Sequence, residues 1–219
     1  MKLNDILNYE KTLAGPLFES VEYPWEALDV LGEYILRLGR TLKKELYEEA
    51  GEGIWIAKSA AVDKSARLKA PIIIGEKSEI GGYAYLRGAV LIGNGCVVGN
   101  SAEIKNAVLF DGASLPHCNY VGASILGYKA KLGAGAVISS LFSDRSEVEC
   151  YLGSKKVKSG RKSLGALVGD FAEIGCSSVV SPGTVISRSA KIKPLTRVRG
   201  FIPEGVFYSS GESIISDIL

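Results

Sequence analysis

The chain has 219 residues, 47% hydrophobic and 23% charged with 26 glycines, a balance that fits one large domain or two small ones and excludes a disordered chain. Its formal net charge of +2 is too small to argue for nucleic acid or a membrane surface as a partner. Four cysteines (Cys96, Cys118, Cys150 and Cys176) show no CxxC, metal-ligand or small-disulfide spacing, which suits a reducing compartment.

The opening MKLNDILNYE carries acids and no apolar stretch, so no secretory leader is expected. No apolar run is long enough to span a bilayer, and the sequence predicts a soluble, cytoplasmic protein. Residues 24–49 place Trp25, Leu28, Leu31, Ile35, Leu38, Leu42 and Leu46 at steps of three and four. This predicts an amphipathic helix, opened by Pro24 and ended by Gly51-Glu52-Gly53, within an N-terminal helical cap over 1–53.

From residue 56 an apolar residue recurs every six positions, at Ile56, Val62, Leu68, Ile74, Ile80, Leu86, Ile92, Val98, Ile104 and Phe110. The series slips, resumes at Leu126, Leu132 and Ile138, and returns from Val168 to Val198. A small residue follows most of these after four positions, as at Ala60, Ala66, Ser78, Ala84, Cys96, Ala102 and Ser114. Six matches neither the helical period nor an indefinitely alternating strand. It matches a short strand plus a corner, with one large side chain inward and a small one in the turn. Such units bury a core only by stacking, which predicts an all-β parallel β-helix over 54–203. The helix should then pack across the open first coil. Residues 140–163 break the period and are rich in Ser and Lys, so they predict an extruded loop; residues 204–219 remain a C-terminal tail.

Gly93, Gly95 and Gly99 superficially imitate a dinucleotide loop, but they fall on repeat corners, where turn geometry accounts for them. His117, in Ser114–Gly122 (SLPHCNYVG), is the sole histidine, so this chain alone cannot furnish a multi-histidine zinc site and no metal is expected. A neutral imidazole can take a proton from an attacking amine. Arg87 and Lys105 are one 18-residue coil apart and should stack about 5 Å from each other, where two like charges repel unless an anion lies between them. The alternatives are solvated charges for Arg87 and Lys105 and a surface or subunit-contact role for His117. Neighbours on a strand face opposite sides, so Cys118 should point inward and is not the nucleophile. The basic run Lys155–Lys162 is either a solvated loop or a contact for coenzyme A phosphates.

The repeat resembles the left-handed β-helix acyltransferases. Residues 80–140 resemble the C-terminal acetyltransferase domain of the bifunctional uridylyltransferase that makes UDP-N-acetylglucosamine. The segments PHCNYVGASILG, SGRKSLGALVGD and YPWEALDVL are similar to archaeal-type sugar-1-phosphate nucleotidylyltransferase/acetyltransferases, and the likeness covers about residues 22–202. It implies a left-handed helix and the acetyltransferase half without its nucleotidylyltransferase domain. The implied activity is acetyl-CoA-dependent N-acetylation of an amino-sugar 1-phosphate (glucosamine or galactosamine) by a homotrimer with sites between subunits.

On that resemblance His117 is the catalytic base, Tyr120 touches the sugar phosphate, and Arg87 and Lys105 bind phosphate. Backbone contacts to acetyl-CoA fall near Ala134, Cys176 and Pro194. Two asparagines of the family are Lys131 and Ser140 here, and a lysine aligns with Ser146. A non-catalytic sugar-phosphate-binding or assembly module, or an acyltransferase with another amine acceptor, are the competing readings.

Overall fold

Each set of three hexads closes into one coil, and the coils stack into a three-sided left-handed parallel β-helix. The computed structural model describes residues 5–209 and 213–215. The first face runs through Ile54–Ala57, Ile72–Ile74, the end of Tyr85–Ile92, the end of Glu103–Leu109, Ile125–Leu126, Ala166–Val168, Thr184–Ile186 and Phe201–Ile202. The second carries eight parallel strands from Ala61–Val62 to Phe207–Ser209. The third begins at Arg67–Leu68 and ends at Arg197–Val198. Their inward side chains, such as Ile74, Ile80, Leu86, Ile92, Val98 and Ile104, form one continuous core.

The corners explain the small residues. Ala84, Cys96, Ala102, Ala130, Ala136 and Ala172 are fully or almost fully buried there. Ser78 shows how a polar corner is satisfied: its Oγ donates to Gly93 O at 2.7 Å and accepts from Cys96 N at 3.0 Å. The chain turns through left-handed residues, which along the second-to-third edge are Tyr83, Ser101, Cys118, Gly135, Ser177 and Leu195. Most are not glycine, so the stacking must offset about 1–2 kcal/mol of conformational cost at each.

The repeat slips one corner earlier than the sequence suggests. Ile92 pairs with Leu109 and Ile104 with Val121, steps of 17 rather than 18. Leu109 therefore points into the helix, while Phe110 packs outside it against Phe18, and Ala113 rather than Ser114 fills the corner.

The first face is buried on both sides. Its outward row, Trp55, Ile73, Leu91, Val108, Ile125, Leu167 and Val185, joins a second core with α1 (Gly15–Glu19), α2 (Ala27–Gly39) and the loop residues Val148, Cys150 and Leu164. Strands covered on both faces read as unbroken apolar runs, as in Ile72-Ile73-Ile74 and Val90-Leu91-Ile92. Helix α2 thus lies along this flank, not over the open end. It also ends sooner than expected. A Cβ at Gly39 would overlap the Trp55 indole, and Leu42 and Leu46 fall beyond the helix. The open edge is covered instead by Tyr47–Gly51, which pairs antiparallel with Ile54–Ala57.

Two further boundaries change. The segment 140–163 contains an antiparallel hairpin, Glu149–Leu152 with Lys155–Lys158, and is tied to the N-terminal region by Arg161. That guanidinium donates to Trp25 O at 2.6 Å and pairs with Asp29 at 3.0 Å. The β-helix also continues past 203, because Phe207–Ser209 adds a parallel strand and Ser213–Ile215 pairs antiparallel with it. The rest of the expected tail, 210–212 and 216–219, lies outside the described residues.

Candidate active site on an edge of the β-helix

His117 ends the strand Ser114–His117 at the edge between the second and third faces. The next residue, Cys118, has φ of 52° and is exposed, so the strand's alternation stops there and Cys118 does not point inward. The inward place is taken by Asn119, 2% exposed. Its Nδ2 donates to Gly133 O at 2.8 Å and Ala136 O at 3.2 Å, and its Oδ1 accepts from His117 N at 3.2 Å. These three bonds hold the turn that presents His117 outward. Gly99, one coil before, leaves room for the Pro116 carbonyl, which any Cβ at 99 would overlap. The His117 imidazole is exposed and makes no hydrogen bond or ion pair within the described residues.

Ala134, Cys176 and Pro194 continue the same edge coil by coil. Gly135 N donates to His117 O, Ser177 N to Ala134 O and Leu195 N to Cys176 O, each at 2.9 Å. The N–H groups of Ala134 and Cys176 have no partner among the described residues, so both can donate to a ligand laid along the edge. Pro194 has no N–H and can offer only its carbonyl.

The third face gathers the other candidates. Arg87 pairs in register with Lys105, and Lys105 with Gly122. Tyr120 pairs with Glu103 and lies close to Arg87. A Cβ at Gly122 would meet the Tyr120 hydroxyl at 3.0 Å and Ser140 Oγ at 2.8 Å, so the missing side chain keeps a gap between these two groups. Arg87, Lys105, Tyr120 and Ser140 are therefore brought together. Lys131 is not: it sits on the second face between Ser114 and Glu173. Ser146 lies in the extruded loop, where its N–H bonds Asp144 at 3.0 Å.

Two residues escaped the sequence reading. Glu103 binds Arg87 through both Nε and an Nη, each at 2.7 Å, which relieves the repulsion expected between Arg87 and Lys105 without a bound anion. Glutamates are common on exposed strand faces, so only the 16-residue offset from Arg87 signalled it. Asn119 was visible as a polar residue at an inward place of PHCNYVG. In the basic run, Lys156 pairs with Glu149 and Arg161 is committed internally.

Two larger clefts lie away from His117. A cleft of about 540 Å³ opens between the extruded loop and Arg197, Arg199 and Pro182, and another of about 660 Å³ beside Tyr47 and Trp55. Neither includes His117, which stands on an open edge. The same edge carries the two most exposed large hydrophobic side chains among the described residues, Leu195 at 80% and Tyr83 at 73%.

Coil period and corner geometry define a hexapeptide-repeat β-helix with a histidine turned outward on one edge. Residues 68–158 match the family described as the GMPPB C-terminal domain. The chain is 33% identical over 100 residues to a bifunctional sugar-1-phosphate nucleotidylyltransferase/acetyltransferase of Sulfurisphaera tokodaii, covering 46% of this chain and 25% of that one. It is 31% identical over 109 residues to the bifunctional protein GlmU of Methanococcus maripaludis, covering 49% and 26%. The chain thus spans about a quarter of the length of the curated relatives it matches. Among solved structures, the acetyltransferase domain of PglB from Neisseria gonorrhoeae is similar at 15% identity and a TM-score of 0.34, over 70% of this chain and 53% of that one. No helix among the described residues is long and apolar enough to cross a membrane.

Proposed function

We propose that the chain is an acetyl-CoA-dependent N-acetyltransferase acting on an amino sugar that carries an anomeric phosphate, such as glucosamine- or galactosamine-1-phosphate. The observation that carries this reading is the unpartnered imidazole of His117 at the head of a file of corners with free N–H groups. A structural histidine would be buried or bonded; this one is neither.

The chemistry follows from the parts. Acetyl-CoA lies along the edge, held by the Ala134 and Cys176 amides. His117 takes a proton from the ammonium-derived amine as its nitrogen attacks the thioester carbonyl. A backbone N–H steadies the oxyanion. The C–S bond then breaks, and the imidazolium returns its proton to the departing thiolate, leaving an amide and free coenzyme A. Arg87 and Lys105 hold the phosphate, Glu103 keeps Arg87 in place until it arrives, and Tyr120 and Ser140 border the gap above Gly122.

An edge excludes water poorly, so the site needs a second surface. We assign that surface to neighbouring copies in a homotrimer. Exposed Leu195 and Tyr83 on this edge support burial there, and only a second chain could bring Lys131 to the third-face residues. The competing reading, a non-catalytic sugar-phosphate module, draws on Lys131 and Ser140, where the resembling family has asparagines. The test is free thiol release from acetyl-CoA with a panel of amino-sugar phosphates. One thiol per amide formed is expected with at least one acceptor; binding of the panel without thiol release would contradict transfer and favour the module.

A further inference from the structure

The proposed phosphate pocket uses two of four cations clustered on the early coils of the third face. Lys69 follows Arg67–Leu68 and donates its N–H to Leu86 O at 2.8 Å, which places it beside Arg87. Lys69, Arg87 and Lys105 therefore form a file over three successive coils, about 5 Å apart and about 10 Å from end to end. Arg67, in the neighbouring row, is the register partner of Tyr85. The charged ends of Arg67, Lys69 and Arg87 converge on the Tyr85 ring, at 5.5, 5.7 and 5.7 Å from its centroid.

Four cations thus face one carboxylate, Glu103, which Arg87 already engages with two bonds. Arg67 and Lys69 are exposed and enter no ion pair among the described residues. Like charges this close repel unless an anion joins them. A phosphate held by Arg87 and Lys105 leaves Arg67 and Lys69 without an anion of their own. The surplus positive charge lies on the far side of Arg87 from Lys105, in line with the file.

We propose that Lys69 and Arg67 form a second anion subsite, one coil beyond Arg87 and Lys105, and that the acceptor is an amino sugar carried on a diphosphate, as in a nucleoside-diphosphate sugar. This rests on the reading that Arg87 and Lys105 take the sugar's phosphate; it adds that a second phosphate continues along the file. Tyr85 is the platform that holds the two extra cations near the line. The subsite works through binding and has no part in proton transfer.

The experiment is calorimetric titration of the intact chain with glucosamine 1-phosphate, UDP-glucosamine and pyrophosphate. UDP-glucosamine should bind about tenfold or more tightly than the monophosphate, a ratio on the scale of one charge-assisted hydrogen bond. Pyrophosphate should compete with it. The double variant Arg67→Ala/Lys69→Ala, checked for an unchanged Tm, should lose that advantage and still bind glucosamine 1-phosphate as the wild type does. Equal affinities in the wild type, an advantage that survives the double variant, or failure of pyrophosphate to compete would each overturn the subsite. Thiol release on the same samples reads acetyl transfer separately. A diphosphate preference without transfer would sink the enzymatic reading and leave the subsite, and transfer to the monophosphate with no preference would do the reverse.

Discussion

The first face and the edge at His117 are built from the same repeat and do opposite work. On the first face the outward row is Ile73, Leu91, Val108, Ile125, Leu167 and Val185, sealed under α1, α2 and the extruded loop. Burying each such side chain contributes about 1.5–3 kcal/mol, so this flank is where a solenoid without long-range cross-links gains its extra stability. At the edge the outward groups are His117, Cys118, Ala134 and Cys176, half or fully exposed and bonded only through backbone. The inner stack holds both regions in place, but only the covered one depends on its outward side chains. A site can therefore vary on the edge without unfolding the helix.

The strongest way to break this comparison is a charge on the covered face. Ile73→Asp would bury a carboxylate with no partner, at a cost of several kcal/mol, and should prevent accumulation of folded protein; the same change at half-exposed Val179 should alter Tm little. Circular dichroism melts of the two variants check this. Asn119→Ala comes next. It removes three bonds from the turn under His117 and leaves the His117 N–H without an acceptor, while the Gly133 and Ala136 carbonyls keep their backbone donors, so about 1–3 kcal/mol of stability should go, with turnover falling further than stability explains. Comparing chemical denaturation with rate per folded molecule separates the two.

Arg87→Ala should weaken acceptor binding by about 1–3 kcal/mol while leaving Tm nearly unchanged, because its pair with Glu103 is a third exposed on both sides. Titration with the acceptor phosphate is the check. The smallest effect concerns pH. Asp170 is buried beneath the N-terminal segment, accepting from Asn8 N at 2.9 Å and Tyr128 N at 2.8 Å, and burial raises its carboxyl above the ordinary range. A carboxyl raised on folding binds more protons in the native state. Its contribution should fall as pH climbs from the ordinary carboxylate value through the raised one, then stay flat. Desolvated Asp111 acts with the same sign. Asp170→Asn should flatten that part of a stability-against-pH curve.

Much of this was readable beforehand for a physical reason. A six-residue period requires a corner every third of a coil, so Ile74, Ile80 and Leu86 announced their inward direction. The outward row of the first face was also written in the sequence, as Ile72-Ile73-Ile74 and Thr184-Val185-Ile186, but apolar runs do not say what covers them. The helix was consequently expected over the open end rather than along the flank. The slip at Leu109 was illegible because Phe110 is equally apolar and its partner, Phe18, lies outside the repeat. Of the candidate site, His117, Tyr120, Arg87 and Lys105 were proposed from spacing and resemblance. Cys118 was misplaced because strand alternation was carried through a left-handed corner, and Glu103 and Asn119 depend on contacts between coils that one linear string does not display.

The central claim is that His117 serves chemistry and not folding, and His117→Ala tests it most directly. The variant's Tm, its oligomeric state and its rate of thiol release per folded molecule should be measured together with an acceptor that the wild type turns over. The account predicts an unchanged Tm and assembly, with turnover lower by roughly a hundredfold to ten-thousandfold. A folded, assembled His117→Ala protein that releases thiol at the wild-type rate would contradict it.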